Sequence, residues 1–288
     1  MHNTRFMRRL LVASMVLLAG SLLLFALPQT EKSTQDELRI VSLSPNVTET
    51  IWALGKEDLL VGRSDYCNYP EEALSLPAVG TLYSPSLEQL LALEPTMVIS
   101  SAFVGDQFLA AVEQAGITVL EINTQESFSG TYELIRAIAQ AVKATDKAEL
   151  MILEMQNLIK EVALKAQTKA KPSVYMAFDF GSFDSAATAD TFLSEMVELA
   201  GGNNVAKDGA NWTYSKELLM YHDPEVILLS PRWGDDGSAT IAEFTTTKPY
   251  SDLRGRIEIF DADMISRQGP RSAIALQTLF ELIHQESL

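Results

Sequence analysis

Aromatic and charged residues gather in the segments between apolar runs, where side chains are free to meet a ligand. Tyr66 and Tyr69, with Tyr83 further along, form one set, and Phe183, Trp212 and Tyr214, joined by Trp233, form a second. The third is the stretch Asp263-Met-Ile-Ser-Arg267-Gln-Gly-Pro-Arg271. Flat rings give broad apolar contact to a large planar molecule, and Asp263 with Arg267 brings both charges to amide or carboxylate groups. Any single ring can instead pack between loops, but that explanation weakens for two matched sets.

Catalytic chemistry finds little support. The chain has three histidines: His2 near the start, His284 near the end, and His222 inside a helical pattern just before Asp223-Pro224. No Ser-His-Asp constellation can be built from them, and no His-x-Glu spacing suggests a metal site. Asp179-Phe180-Gly181 matches a kinase tripeptide, yet no glycine-rich phosphate loop accompanies it. The one cysteine, Cys67, excludes an intrachain disulfide and a thiolate cluster. The expectation is a protein with no catalytic residue, no resident metal and no cofactor.

Two acidic residues are placed by repetition. Ser86-Leu-Glu88-Gln-Leu-Leu-Ala-Leu-Glu94-Pro95 is echoed by Ser215-Lys-Glu217-Leu-Leu-Met-Tyr-His-Asp223-Pro224, each followed by an apolar strand-like run. Upstream of each, Glu49 to Gly55 matches Glu195 to Gly201. In both copies a Ser precedes a short helix, a Glu occupies its first turn and an acid-Pro pair ends it. The helix dipole favours a Glu in either first turn, but it does not explain the shared spacing to proline. Two matched acidic points suit docking onto a pseudo-symmetric basic partner.

The elements that must position these groups follow from patterning. The repeat predicts two similar α/β lobes with a ligand cleft between them, because apolar strands alternate with helices in each half. Arg39-Ile-Val-Ser-Leu43 reads as the first strand, followed by a helix that Asn46 or Thr48 can cap. Met151, Met155, Leu158 and Val162 recur at helical spacing in a long helix that Asp146 can cap, and it runs to about Thr168. This rigid helix is the expected connection between lobes. The predicted domains are an N-terminal lobe over 39–130, a connecting helical segment over 131–171 and a C-terminal lobe over 172–288.

Ahead of the lobes, Arg5, Arg8 and Arg9 precede an apolar run from Leu10 to Leu27. That layout is a signal peptide or membrane anchor over 1–28, followed by a polar linker over 29–38. It places the folded part outside the cytoplasmic membrane, in the periplasm or at the membrane's outer face. With 38 acidic against 22 basic residues the net charge is −16, which argues against nucleic-acid binding.

These motifs resemble those of the extracytoplasmic substrate-binding proteins of ABC importers for vitamin B12, iron-siderophores and haem. The similarity runs from about Arg39 to the C-terminus. It is strongest at Arg39 to Glu49, Asp65-Tyr-Cys-Asn-Tyr-Pro70, Ser86 to Ile99 and Arg267-Gln-Gly-Pro-Arg271. The resemblance implies two α/β lobes joined by one rigid helix, and a non-catalytic protein that hands its ligand to a permease and, through it, an ATPase. It implies ligand contacts at Tyr66, Trp212, Asp263 and Arg267, and permease docking through Glu88 and Glu217. The vitamin B12-binding members carry a tryptophan under the corrin where this chain has Leu82; either the adjacent Tyr83 takes over the stacking or the ligand differs. Cobalamin or a related corrinoid is the expected ligand, with haem or a ferric siderophore as the alternative in the same class. A membrane-anchored sensor or an enzyme on the same fold is the alternative from another class.

Overall fold

The computed structural model describes residues 38–102, 104–232 and 234–285. The predicted signal segment, nearly all of the linker, and Trp233 lie outside the described residues. Among the described residues no helix is long and apolar enough to cross a membrane.

The first half builds a parallel sheet. Strands β1 (Ile40–Ser42), β2 (Leu60–Arg63), β3 (Met97–Ser100) and β4 (Thr118–Glu121) run in the order β2-β1-β3-β4. Helices α1 (Pro45–Ala53), α2 (Leu87–Ala92) and α3 (Asp106–Gln114) supply the crossovers. Then α4 (Phe128–Ala141) and α5 (Thr145–Ala166) lead to the second half. There β5 (Ser173–Asp179), β6 (Ser185–Ala186), β7 (Asn203–Asn204), β8 (Val226–Leu229) and β9 (Arg256–Ile259) form the second sheet. Its order is β6-β5-β8-β9, with β7 also on β5, and only β6 is antiparallel. Helices α6 (Phe192–Leu199), α7 (Lys216–His222), α8 (Ser238–Thr246), α9 (Ala262–Ile265) and α10 (Ser272–His284) complete the chain.

The sequence repeat is a structural repeat. Ser86 and Ser215 each cap a helix, accepting from the Gln89 and Leu218 backbone N–H at 3.3 Å. Glu94 and Asp223 end those helices in the left-handed region, at φ 46° and 40°. A helix cannot continue into the following proline, so each acid turns the chain into the next strand. Gly55 and Gly201, at φ 64° and 84°, stop the two matched upstream helices in the same way.

Helix α5 connects two cores rather than two loops. Ile152 and Met155 near its start are buried with Ile51, Leu134 and Ile138 of the first half. Val162 and Ala166 near its end are buried with Val174, Val197 and Phe280 of the second. At 1.5 Å per residue its 22 residues span about 33 Å, and it packs along α10, α4 and α6. Bending it would break packing in both cores, so the lobes are held stiffly.

Some local expectations change. The cap of α5 is Ala144, without a side-chain bond, and Asp146 lies inside the first turn. Ser44, not Asn46 or Thr48, precedes α1, and its hydroxyl is engaged by the Ser101 N–H at 3.0 Å. Asn46 is diverted to the Gln268 carbonyl at 3.0 Å. His222 is the last residue of α7 and is exposed. Helix α8, with three threonines in Ser-Ala-Thr-Ile-Ala-Glu-Phe-Thr-Thr, has weak propensity. It is started by the Asp235 carboxylate, which accepts from the Thr240 N–H at 2.8 Å.

The segment before α10 fastens the C-terminal half to α1. Glu49 of α1 is 3% exposed and accepts from Arg267 at 2.9 Å and from Arg271 at 2.7 and 2.8 Å. Arg271 also lies over the Tyr69 ring, 3.9 Å from its centroid. Burial alone lowers the Arg271 pKa, but the Glu49 hydrogen bond and charge reverse this and hold it above the usual value. A second tie joins α4 and α6 reciprocally: the Phe128 N–H donates to Glu195 at 2.8 Å and the Phe192 N–H to Glu126 at 3.2 Å. The two phenyl rings meet edge-on at 5.0 Å. Removing Glu49 strands two guanidiniums in a nearly dry site. Glu49→Ala is expected to lose about 3–5 kcal/mol in urea unfolding, whereas Glu88→Ala, on an exposed first turn, is expected to lose about 0.3–1 kcal/mol.

Candidate functional site

Parallel strands expose their carboxyl ends along one edge of a sheet, where open α/β proteins take ligands. Here those ends are Phe178 on β5, Ser230 to Arg232 after β8, and Phe260 and Asp261 after β9. A cavity of about 560 Å³ lies against them, lined by Phe178, Arg232, Asp235, Phe260, Asp261 and Asp263 among others. A neighbouring cavity of about 430 Å³ is lined by Glu126, Phe178, Phe192, Trp212 and Ser266. Phe178 belongs to both. Its ring meets Trp212 edge-on at 5.9 Å, and the fully buried Phe260 ring, 5.8 Å from Phe178, backs the pair from the core.

Trp212 therefore stands on the cavity wall of the second lobe, 37% exposed. Tyr66 and Tyr83 meet edge-to-face at 6.3 Å on the first lobe, and Tyr83 is 77% exposed. Neither tyrosine lines these two cavities. Asp263 is on helix α9 rather than in a loop, and it accepts from Asn68 of the first lobe at 2.7 Å. Phe183 is highly exposed, and it lines a third cavity with Asp179 and Arg232. Tyr214 differs from the sequence expectation. It is buried, its ring 6.4 Å from Tyr175, so its aromatic face serves the core.

Arg267 is heavily engaged. Besides Glu49, its guanidinium pairs with Asp263 at 2.8 Å and donates to the Asn68 side-chain oxygen at 2.8 Å and the Tyr66 carbonyl at 3.3 Å. Arg232 is held likewise, by Asp179 and by Glu243 at 2.9 Å, with its guanidinium 4.5 Å above the Phe180 ring. Each arginine at this edge is thus already paired with a carboxylate. Asp235, Asp261 and Glu126 are additional carboxylates on the walls. The electrostatic character is acidic, although Asp235, Asp261 and Glu126 already accept from the Thr240, Met264 and Phe192 backbone N–H groups.

Sequence reasoning placed Arg271 in its third cluster but missed Phe178, Asn68 and Glu49 as parts of this region. Glu49 carried a signal, since it is the repeat partner of Glu195, and both acids bond across the seam between the halves. Phe178 carried none, because an apolar residue in a strand announces burial, not a place at the strand's open end. Glu88 and Glu217 are both exposed in first turns, as their motif predicts. The Ser215 hydroxyl donates to Glu217 at 2.7 Å and holds its pKa below the ordinary value.

Residues 40–253 match the family model for periplasmic binding proteins. An uncharacterized ABC transporter substrate-binding lipoprotein of Bacillus subtilis is 29% identical over 256 residues, covering 86% of this chain and 81% of that protein. A vitamin B12-binding protein of Photorhabdus laumondii is 27% identical over 271 residues, covering 92% of this chain and 94% of that one. Among solved structures, the apo form of a periplasmic haem-binding protein from Roseiflexus sp. RS-1 superimposes with a TM-score of 0.75 at 28% identity. That match covers 86% of this chain and 98% of that one.

Asn68 joins the lobes at the rim of the site, through Asp263 and Arg267, and is itself exposed. Asn68→Ala is expected to cost roughly 1–2 kcal/mol by thermal unfolding, well below the loss at Glu49. A larger loss at Asn68 would move the main fastening from the buried cluster to the rim.

Proposed function

The chain belongs to the periplasmic binding protein family, and on that premise we propose that it is the extracytoplasmic substrate-binding component of an ABC importer for cobalamin or a related corrinoid. It captures the ligand between the lobes and carries it to a permease and its ATPase, without catalysis. The carrying observation is the aromatic surface of Trp212 and Phe178, backed by the buried Phe260 ring and set among carboxylates, with the neighbouring arginines already neutralised. A corrinoid offers a broad ring face and a rim of amide N–H donors, which suits such a wall. Haem carries two propionates that would meet Asp235, Asp261 and Asp263, so haem and anionic ferric siderophores are the second reading.

Tyr66, Tyr83, Trp212, Asp263 and Arg267 are the proposed ligand-side residues. Arg267 acts mainly by orienting Asp263 and the Tyr66 loop, since its own donors are taken up within the protein. A stiff two-lobed frame lowers the ordering cost of binding. Residues 39–288 are expected to bind cyanocobalamin one-to-one in calorimetry, with an affinity of roughly −8 to −12 kcal/mol. Trp212→Ala is expected to lose about 2 kcal/mol of it and Tyr69→Ala less. No heat with cyanocobalamin alongside clear binding of haemin would transfer the assignment to the second reading.

Glu88 and Glu217 are the proposed docking points, one on each copy of the repeated helix. Both contribute little to folding where they stand. The double change Glu88→Ala/Glu217→Ala is expected to leave melting temperature and ligand affinity near wild type. Uptake by vesicles containing the permease should fall steeply, because two charge pairs are lost together. Normal uptake by the double variant would leave both residues as helix-start carboxylates only.

A further inference from the structure

Trp212 is presented by a strained turn. Residues 210–213 close on a Thr213 N–H to Ala210 carbonyl bond of 3.0 Å, and Asn211 and Trp212 have φ of 52° and 63°. Two left-handed central residues are what a tight hairpin turn of this kind requires, and asparagine followed by glycine is the usual pair. Asparagine tolerates that backbone, but a tryptophan in the second position is an outlier. Such outliers persist only where their surroundings over-determine them.

The surroundings here are specific. The Asn211 N–H donates to one Asp190 carboxylate oxygen at 2.8 Å, and the Trp212 N–H donates to the Thr188 hydroxyl at 3.0 Å. That hydroxyl in turn donates to the other Asp190 oxygen at 2.6 Å. The Trp212 carbonyl accepts from the Ala186 N–H at 2.7 Å. Gly209 permits the close approach, since a Cβ there would lie 2.6 Å from the Thr213 carbonyl oxygen and 2.7 Å from the Thr188 methyl. Thr188 is fully buried, while Asp190 is exposed and lines neither cavity at the strand ends.

We infer that Asp190, acting through Thr188, is a positioning residue for ligand binding: it holds the Asn211-Trp212 turn in its left-handed form and so fixes the indole on the cavity wall. The inference rests on the reading of this cleft as the seat of a flat ligand. Glycine at position 212 would relax the backbone but would offer no ring. The chain keeps the strained residue and supplies a carboxylate and a hydroxyl to hold it.

The test uses the variant Trp52→Phe/Trp233→Phe, in which Trp212 is the sole tryptophan, with cyanocobalamin and haemin as probes. Adding Asp190→Ala to it is expected to shift the Trp212 emission to the red and increase its quenching by acrylamide, and Asp190→Ala in the otherwise wild-type chain is expected to raise the Kd of the bound probe roughly tenfold. Asp190→Asn, which keeps an acceptor oxygen, is expected to recover part of both. Separately, Trp212→Gly is expected to melt higher than Trp212→Ala, the reverse of the ordinary order, while both lose the probe. Unchanged emission in Asp190→Ala, or changed emission with unchanged affinity, overturns the positioning role and leaves the ligand reading intact. If the wild-type protein takes up neither probe, the ligand reading fails and the positioning role falls with it.

Discussion

A buried carboxylate between two guanidiniums is the contact on which the rest of this molecule depends. Glu49 lies on α1, the first helix among the described residues, and Arg267 and Arg271 lie more than two hundred residues later. Removing three charges from water is expensive, and mutual attraction offsets that cost only when the remaining hydrogen-bonding capacity is used. Here it is used: Arg271 grips Glu49 with two nitrogens and covers Tyr69, while Arg267 reaches Asn68, the Tyr66 carbonyl and Asp263. The cluster therefore fastens the C-terminal segment to the first lobe and at the same time sets the tyrosine loop beside the cleft.

The same arrangement shapes the chemistry of the cleft. An arginine already committed to a carboxylate adds little attraction for an incoming anion, whereas a carboxylate left over repels one. Arg232, Arg267 and Arg271 are all committed, and the walls keep Asp235, Asp261 and Glu126 besides. Side-chain pairing of this kind can set the charge of a cleft without changing the fold that carries it. The fold is common to many cargoes, and side-chain pairing within the site separates them.

Rigidity is the second consequence of the architecture. The long helix sinks one end into each core, and reciprocal bonds of Glu126 and Glu195 tie the helices that flank it. A cleft held this way is largely formed before the ligand arrives, so little binding energy is spent on closing it. Adjustment falls to local features such as the rim bond of Asn68 and the hairpin that carries Trp212. That hairpin places two successive non-glycine residues in the left-handed region, next to the cavity wall.

The residues themselves determined the two-lobed α/β plan. Apolar strands, helix-capping serines and acid-proline stops are local signals, and their repetition is visible without any coordinates. The place of Glu88 and Glu217 in exposed first turns follows from the same local rules. Tertiary structure alone decided which aromatic residues face the cleft. Tyr214 and Trp212, two residues apart, end in the core and on the cavity wall because the left-handed turn at Asn211 and Trp212 redirects the chain. It also decided that Arg267 is spent on Glu49 rather than left open, since the partner of a charge depends on contacts across more than two hundred residues of sequence. Backbone periodicity is encoded within a few neighbouring residues, whereas the pairing of buried charges is settled only when distant segments meet and water is excluded.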